Sequence, residues 1–199
     1  TRPLGATIEL DYTRAGNTFE QPHSQFVLSR VVSFDGVAGD WRPSSPGADF
    51  QLATFAYDGG FYDRREREFY GHAQVVATMH DTRGLTGGVP AGFAKPYLRT
   101  TSTYRTDSFF TKGLLASAVV EGVDTSTPRT FSATENQYVL REVDTQRALT
   151  TPAALAETLS PVFPEPRTTI RRRGEGDAGA AISTRVDQLY DADGNVIQM

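Results

Sequence analysis

The sequence predicts an all-β chain: one antiparallel, meandering, strongly curved sheet with at most one short helix. Three observations carry this. Apolar and polar residues alternate with a period of two in several short runs, the pattern of strands with one wet face. Eighteen glycines and eleven prolines punctuate the chain at short intervals, as strands joined by turns require. The single helical signal, Pro152 to Leu159 with Thr151 as N-cap and Pro152 at the first helical position, is short and ends before Pro161.

Taken in order, Ala6, Ile8, Leu10 and Tyr12 alternate with Thr7, Glu9, Asp11 and Thr13, giving a first strand that Ala15-Gly16-Asn17 turns. Phe26 to Phe34 is a second strand, closed by Asp35-Gly36, and Pro43 to Gly47 is a loop. Leu52 to Tyr57 is a third. Asp58-Gly59-Gly60 reads as a tight turn flanked by Tyr57 and Phe61-Tyr62, because glycine takes positive φ freely and aspartate bonds its own backbone two residues on. Beyond it Arg65, Arg67 and Phe69 alternate with Glu66, Glu68 and Tyr70. A strand from Arg65 to Met79 therefore places both glutamates on one face, with a break or bulge at Gly71. Gly84 to Gly92 is a loop, and Tyr97 to Tyr104, Leu114 to Val120, Gln137 to Val143, Thr168 to Arg172 and Ala181 to Tyr190 are further strands. Asp193-Gly194 turns the chain into a last strand, Val196 to Met199. Short connections between successive strands favour a meander.

With 199 residues, 38% of them hydrophobic, the chain can bury one substantial core, and it reads as a single segment. A net charge of −4 opposes binding to nucleic acid or to an anionic membrane. The absence of cysteine excludes disulfides, thiolate metal sites and a cysteine nucleophile. No apolar run approaches the roughly 18 residues of a membrane span. Because a strand begins at Ala6, the expectation is an excised segment of a longer protein.

Each candidate site has a plainer structural reading. Glu66 and Glu68, about 7 Å apart on one strand face, match an inverting glycosidase pair, yet the flanking arginines favour charge pairing across strands. Asp191, Asp193 and Asn195 resemble the start of a calcium loop, but the same residues make an Asp-Gly-Asn hairpin without an ion. Gly174 to Gly179 matches a dinucleotide fingerprint with neither a buried parallel strand before it nor a helix after it. The run from Arg171 to Arg173 is a solvated hairpin end near Glu165, Glu175 and Asp177. The three histidines, His23, His72 and His80, read as surface or packing residues, since extended chain sets His72 and His80 about 26 Å apart. Trp41 is read as a loop anchor before a glycan platform. No catalytic, cofactor-binding or metal residue is assigned.

The segment from Tyr57 to Gly71 resembles the middle region of the B component of insecticidal Tc toxins, within the Rhs or YD-repeat proteins. That pattern has a tyrosine and an Asp-Gly pair, then Tyr-Asp, then Arg-Glu-Phe, one residue and glycine. Here these are Tyr57, Asp58, Gly59, Tyr62, Asp63, Arg67, Glu68, Phe69 and Gly71. Leu28, Val31, Asp35 and Gly36 match upstream, and Asp81-Thr82 downstream. His72 stands where the family usually has an aromatic. Tyr190, Asp191, Gly194 and Asn195 are similar to a YD repeat. The resemblance implies a β cocoon enclosing a toxic cargo, with residues 1–120 a Tc B-component-like region and 121–199 its continuation. It implies a structural role without catalysis or cofactor, in a secreted or cell-surface bacterial protein. The implied partners are other shell segments of the same polypeptide and a C-terminal effector or C-component subunit, not nucleic acid or direct membrane insertion. Within the motif, Tyr62, Phe69 and Gly71 are expected to set packing and curvature, while Glu66, Arg67 and Glu68 pair across strands.

Overall fold

The computed structural model describes residues 5–36, 50–85, 88–151, 154–155, 158, 160–176 and 181–199. Strands β1 (Thr7–Ala15), β2 (Gln25–Phe34), β3 (Phe50–Asp63), β4 (Glu68–His80), β5 (Pro96–Tyr104), β6 (Leu115–Gly122) and β7 (Arg129–Glu142) follow one another across a sheet. A two-residue strand β8 (Ala148–Leu149) pairs with the end of β7, and β9 (Val162–Arg173) and β10 (Ile182–Asp187) continue the main order. These make one ten-stranded sheet in which every pair is antiparallel. Strands β11 (Leu189–Tyr190) and β12 (Val196–Gln198) form a separate hairpin.

The predicted meander is therefore present, with two corrections. Asp58-Gly59-Gly60 is not a turn: it lies inside β3, which runs on to Asp63, and the chain reverses at residues 64–67 instead. Asp63 causes this, because its Oδ1 accepts from the backbone N–H groups of Arg65 and Glu66, both at 2.8 Å, and Arg67 takes the positive φ of 56° that closes the turn. Consequently Glu66 and Arg67 belong to the turn and do not pair across strands, and the two glutamates share no strand face. Second, β7 begins eight residues before the predicted Gln137, and β9 begins at Val162, six before Thr168. β9 tolerates Pro164 and Pro166 because β10 pairs only with residues 168–173, leaving that stretch a neighbour on one side alone.

Register shifts interrupt six of the eight adjacent pairs along the main order. Each extra residue bends and twists its strand locally, which is the physical source of curvature. Gly71 serves one of them: Phe61 pairs with Gly71 and Tyr62 with Phe69, so Tyr70 is the extra residue and Gly71 takes a φ of 106°.

Registers also separate the two faces. Arg30, Leu52, Thr54, Thr78, Arg99 and Glu121 share one, where Arg30 pairs with Asp11 and Arg99 with Glu121, both at 2.9 Å. Val32, Leu52 and His80 are buried on this face beneath the segment joining β4 to β5. Thr82 Oγ1 donates to the Phe50 carbonyl, and Arg30 Nη2 donates to the Val89 carbonyl at 3.3 Å, tying that segment down. On the opposite face Val31, Phe55, Val75, Met79, Leu98 and Val120 are half-exposed, with no second layer over them among the described residues.

Candidate functional site

The most constructed place in the molecule is the end of the β3–β4 hairpin, where the connection between β1 and β2 folds down onto it. Tyr62 N donates to the Glu20 carbonyl at 2.8 Å, and the His23 ring meets the Tyr62 ring edge-on at 5.0 Å. Arg64 donates to the Phe19 carbonyl at 2.9 Å while its guanidinium lies 4.3 Å over the Phe19 ring. Gln21, only 4% exposed, is pressed onto the backbone of Gly60. A β-carbon at Gly60 would collide with Gln21 Oε1, and one at Gly59 would come within 2.8 Å of Ala73 Cβ. The double glycine is thus a seat for packed neighbours in mid-strand, and Gly59 adds a kink with φ of 62°.

His72 completes this seat. Its ring lies 5.1 Å from the Tyr57 ring and 5.3 Å from the Phe69 ring, and among the described residues neither ring nitrogen has a hydrogen-bond partner. Burial holds its pKa below the ordinary 6.5, with Asp58 pulling weakly the other way. A groove of about 790 Å³ runs past these groups, lined among others by Arg14, Gln21, Asp58, Gly60, His72 and Thr106.

On the far side of the turn, Glu68 does not face Glu66. It pairs at 2.6 Å with Lys112, whose ammonium sits 3.9 Å from the Phe109 ring and 5.7 Å from the Tyr70 ring. Burial, then the surrounding Asp63, Glu66 and Glu68 charges, push the Tyr70 phenol up to about 12. These contacts clamp the β5–β6 connection onto the start of β4.

The hairpin at Tyr190 to Asn195 is self-contained. Asp191 Oδ1 accepts from Asp193 N at 3.0 Å and from Asn195 N at 2.8 Å, Asn195 Nδ2 donates to Oδ2 at 3.0 Å, and Gly194 takes a φ of 84°. The Asn195 side chain, then its backbone, lowers the Asp191 pKa. Among the described residues no group of three acidic or histidine side chains is placed to hold a metal ion. Tyr190 packs edge-on against Phe163 at 5.7 Å, docking the hairpin on β9. Ile170 to Arg173, ahead of the glycine fingerprint, belongs to antiparallel β9, and residues 177–179 of that fingerprint lie outside the described residues, as does Trp41. Of the helix expected at 152–159, residues 154, 155 and 158 are described: 154–155 are helical and 158 is not, and Ala154 N donates to Thr151 Oγ1 at 3.2 Å, the contact of an N-cap.

Two buried acids escaped sequence reasoning. Glu165, fully buried on β9, receives Arg141 Nε at 2.5 Å and Nη2 at 3.2 Å across the β7–β9 pair. One residue along β7 from Arg141, and so on the other face of the sheet, the buried Glu142 accepts from Thr145 at 2.5 Å, Thr158 at 2.6 Å and Arg147 at 3.0 Å. Those bonds, in that order, hold the Glu142 pKa down at about 2. The sequence marks neither: Glu165 is a lone acid between Pro164 and Pro166, and Glu142 a charged residue near a strand end, which no periodicity distinguishes from solvated positions.

Residues 1–89 match the family model described as the insecticide toxin TcdB middle/N-terminal region. Those first 89 residues are thus of the TcdB middle-region type. Solved structures with the same fold include TcdB2-TccC3, with a TM-score of 0.70 at 15% identity over 97% of this chain and 12% of that one. The TcdB2-TccC3-Cdc42 structure gives 0.68 at 16% identity over 98% of this chain and 11% of that one. The Photorhabdus luminescens Tc holotoxin pore gives 0.68 at 16% identity over 96% and 11%. The chain therefore spans about a ninth of the length of the solved chains it matches. No curated protein matches it. The motif from Tyr57 to Gly71, with His72, lies inside the matched region, whereas Glu165 and Glu142 lie beyond it.

Proposed function

We propose that this TcdB-type segment is a non-catalytic piece of wall in a Tc-like toxin shell that encloses a cytotoxic effector for delivery outside the producing bacterium. The observation that carries this is the single layer. Ten strands form one sheet whose hydrophobic residues are mostly half-exposed, and only Val32, Leu52, Tyr70, Leu140 and Leu149 are buried hydrophobics among the described residues. An independent globular domain of this size packs two layers around a core, while a wall has two working faces. The glycosidase reading loses its basis, because Glu66 sits in the turn and Glu68 is neutralised by Lys112.

In this reading the segment pairs with flanking shell strands through β1 and β10, and a C-component subunit completes the enclosure. Support for the second partner comes from the solved TcdB2-TccC3 complexes that share the fold. Residues 1–199 act as one unit, the sheet continuing without a break past residue 120. Photocrosslinking tests the proposal: a photoreactive residue is placed at Phe55 or at Thr78, on opposite faces, in the complete toxin component loaded with its effector. One position is expected to capture effector peptides and the other to capture none. Capture from neither face, or reproducible binding of the segment to a glycan array, would overturn the wall reading.

A further inference from the structure

We propose that His80 is a proton-sensitive latch: when its imidazole is neutral it fastens the segment between β4 and β5 onto the sheet, and when it is charged it releases the neck of that segment. The geometry specifies the protonation state. Lys95 N donates to His80 Nδ1 at 3.1 Å, so Nδ1 is an acceptor and carries no proton. Nε2 then holds the ring hydrogen and donates to Thr54 Oγ1 at 2.8 Å, on the neighbouring strand. Both nitrogens are thereby used, and the side chain is buried. Taking up a proton at Nδ1 turns that acceptor into a donor facing the Lys95 N–H. No rotation of the ring repairs the clash, because flipping it presents another N–H.

The consequence is local because the neck is narrow. Asp81 N donates to the Lys95 carbonyl at 2.8 Å, and Lys95 Nζ reaches Asp81 Oδ2 at 2.8 Å, so losing the Lys95 backbone from His80 strains both. Beneath this neck lies Leu52, 0% exposed, which the opening uncovers.

Charge around the ring does not rescue the imidazolium. Asp81 is shared by Arg83 at 2.8 Å and Lys95. Arg30, from β2, is turned to Asp11 and to the Val89 carbonyl. Asp124, from the β6–β7 connection, pairs with Arg129 at 2.8 Å, Arg99 of β5 pairs with Glu121 of β6 at 2.9 Å on the same face, and the β3 residues paired or bonded to His80, Leu52 and Thr54, carry no charge. Burial correspondingly holds the His80 pKa below 6.5.

Hydrogen exchange read by mass spectrometry in the complete toxin component, from pH 7.5 to 5.5 and corrected for intrinsic rates, tests the latch. Exchange in peptides covering 81–85 and 93–96 is expected to rise up to about tenfold per pH unit below 6.5, as one-proton linkage requires. His80→Asn keeps an acceptor at the Nδ1 position without a titrating group, and should flatten this rise while peptides from β7 and β9 stay level. A flat wild-type profile, or the same slope in His80→Asn, overturns the proposal. If that variant does not fold, the wild-type slopes decide: equal slopes at the neck and at β7–β9 overturn it.

Discussion

At the turn end of the β3–β4 hairpin the chain is held by rings and bare backbone, while the β7–β9 pair is tied by charge. The first region sets Gln21 and His72 on a glycine seat between Tyr57 and Phe69; the second buries Glu165 against Arg141 and surrounds Glu142 with Thr145, Thr158 and Arg147. Both are places where a single-layer sheet must fix its shape without a second layer to press on it. The hairpin does so by close approach, which tolerates no added volume. The other pair does so by directed bonds, which tolerate no lost partner.

That contrast suggests substitutions that break each region by its own means. Arg141→Leu should have the largest effect, about 3–5 kcal/mol, because it leaves the Glu165 carboxylate buried without its main cation; urea denaturation measures it. Phe69→Ala should cost about 3 kcal/mol by leaving a void beside His72, and an unchanged melting temperature would count heavily against a packed wall strand. Gly60→Val should cost about 2 kcal/mol by displacing Gln21, and protease cleavage between residues 16 and 24 should rise with it. Acid sharpens the comparison further. The lowered pKa of Glu142 means its folded form binds fewer protons than the unfolded chain, so its stabilisation is complete above pH 4.5 and is lost as pH falls toward about 2. The buried histidines act earlier, their stabilisation declining once pH drops below 6.5. Denaturation midpoints across this range should therefore fall in two separate steps, the upper removed by His72→Phe with His80→Asn. Lys112→Met should be the mildest change, under about 1 kcal/mol, since Glu68 is half-exposed and the methionine keeps its contact with Phe109.

Strand order, antiparallel pairing and the bulge at Gly71 were legible in the sequence because they follow from period-two patterning and from glycine in a strand. The turn was misplaced by a residue-level ambiguity: Asp58-Gly59-Gly60 and Asp63 followed by Arg64 to Arg67 both offer an aspartate ahead of a positive φ. The deciding contacts are with Gln21 and Ala73, which are remote from Gly60 and Gly59 in sequence. The early part of β7 was missed although Phe131 and Ala133 alternate with Thr130, Ser132 and Thr134, because residues as small as these make the alternation weak. The start of β9 was hidden by prolines permitted only by a missing neighbour. At the candidate site, the roles of His72 and Glu165 depend on burial, which sequence spacing does not encode.

The edges offer the sharpest measurement. Ile8, Leu10 and Tyr12 on β1 and Ile182 on β10 are exposed, and a wall segment should leave neither strand unpaired in its parent protein. A cryo-electron microscopy map of the complete toxin component should show β1 and β10 each hydrogen-bonded to a further strand, with one face of the sheet lining an enclosed space. A map in which both strands end in solvent and the segment stands apart from any cavity would contradict the account.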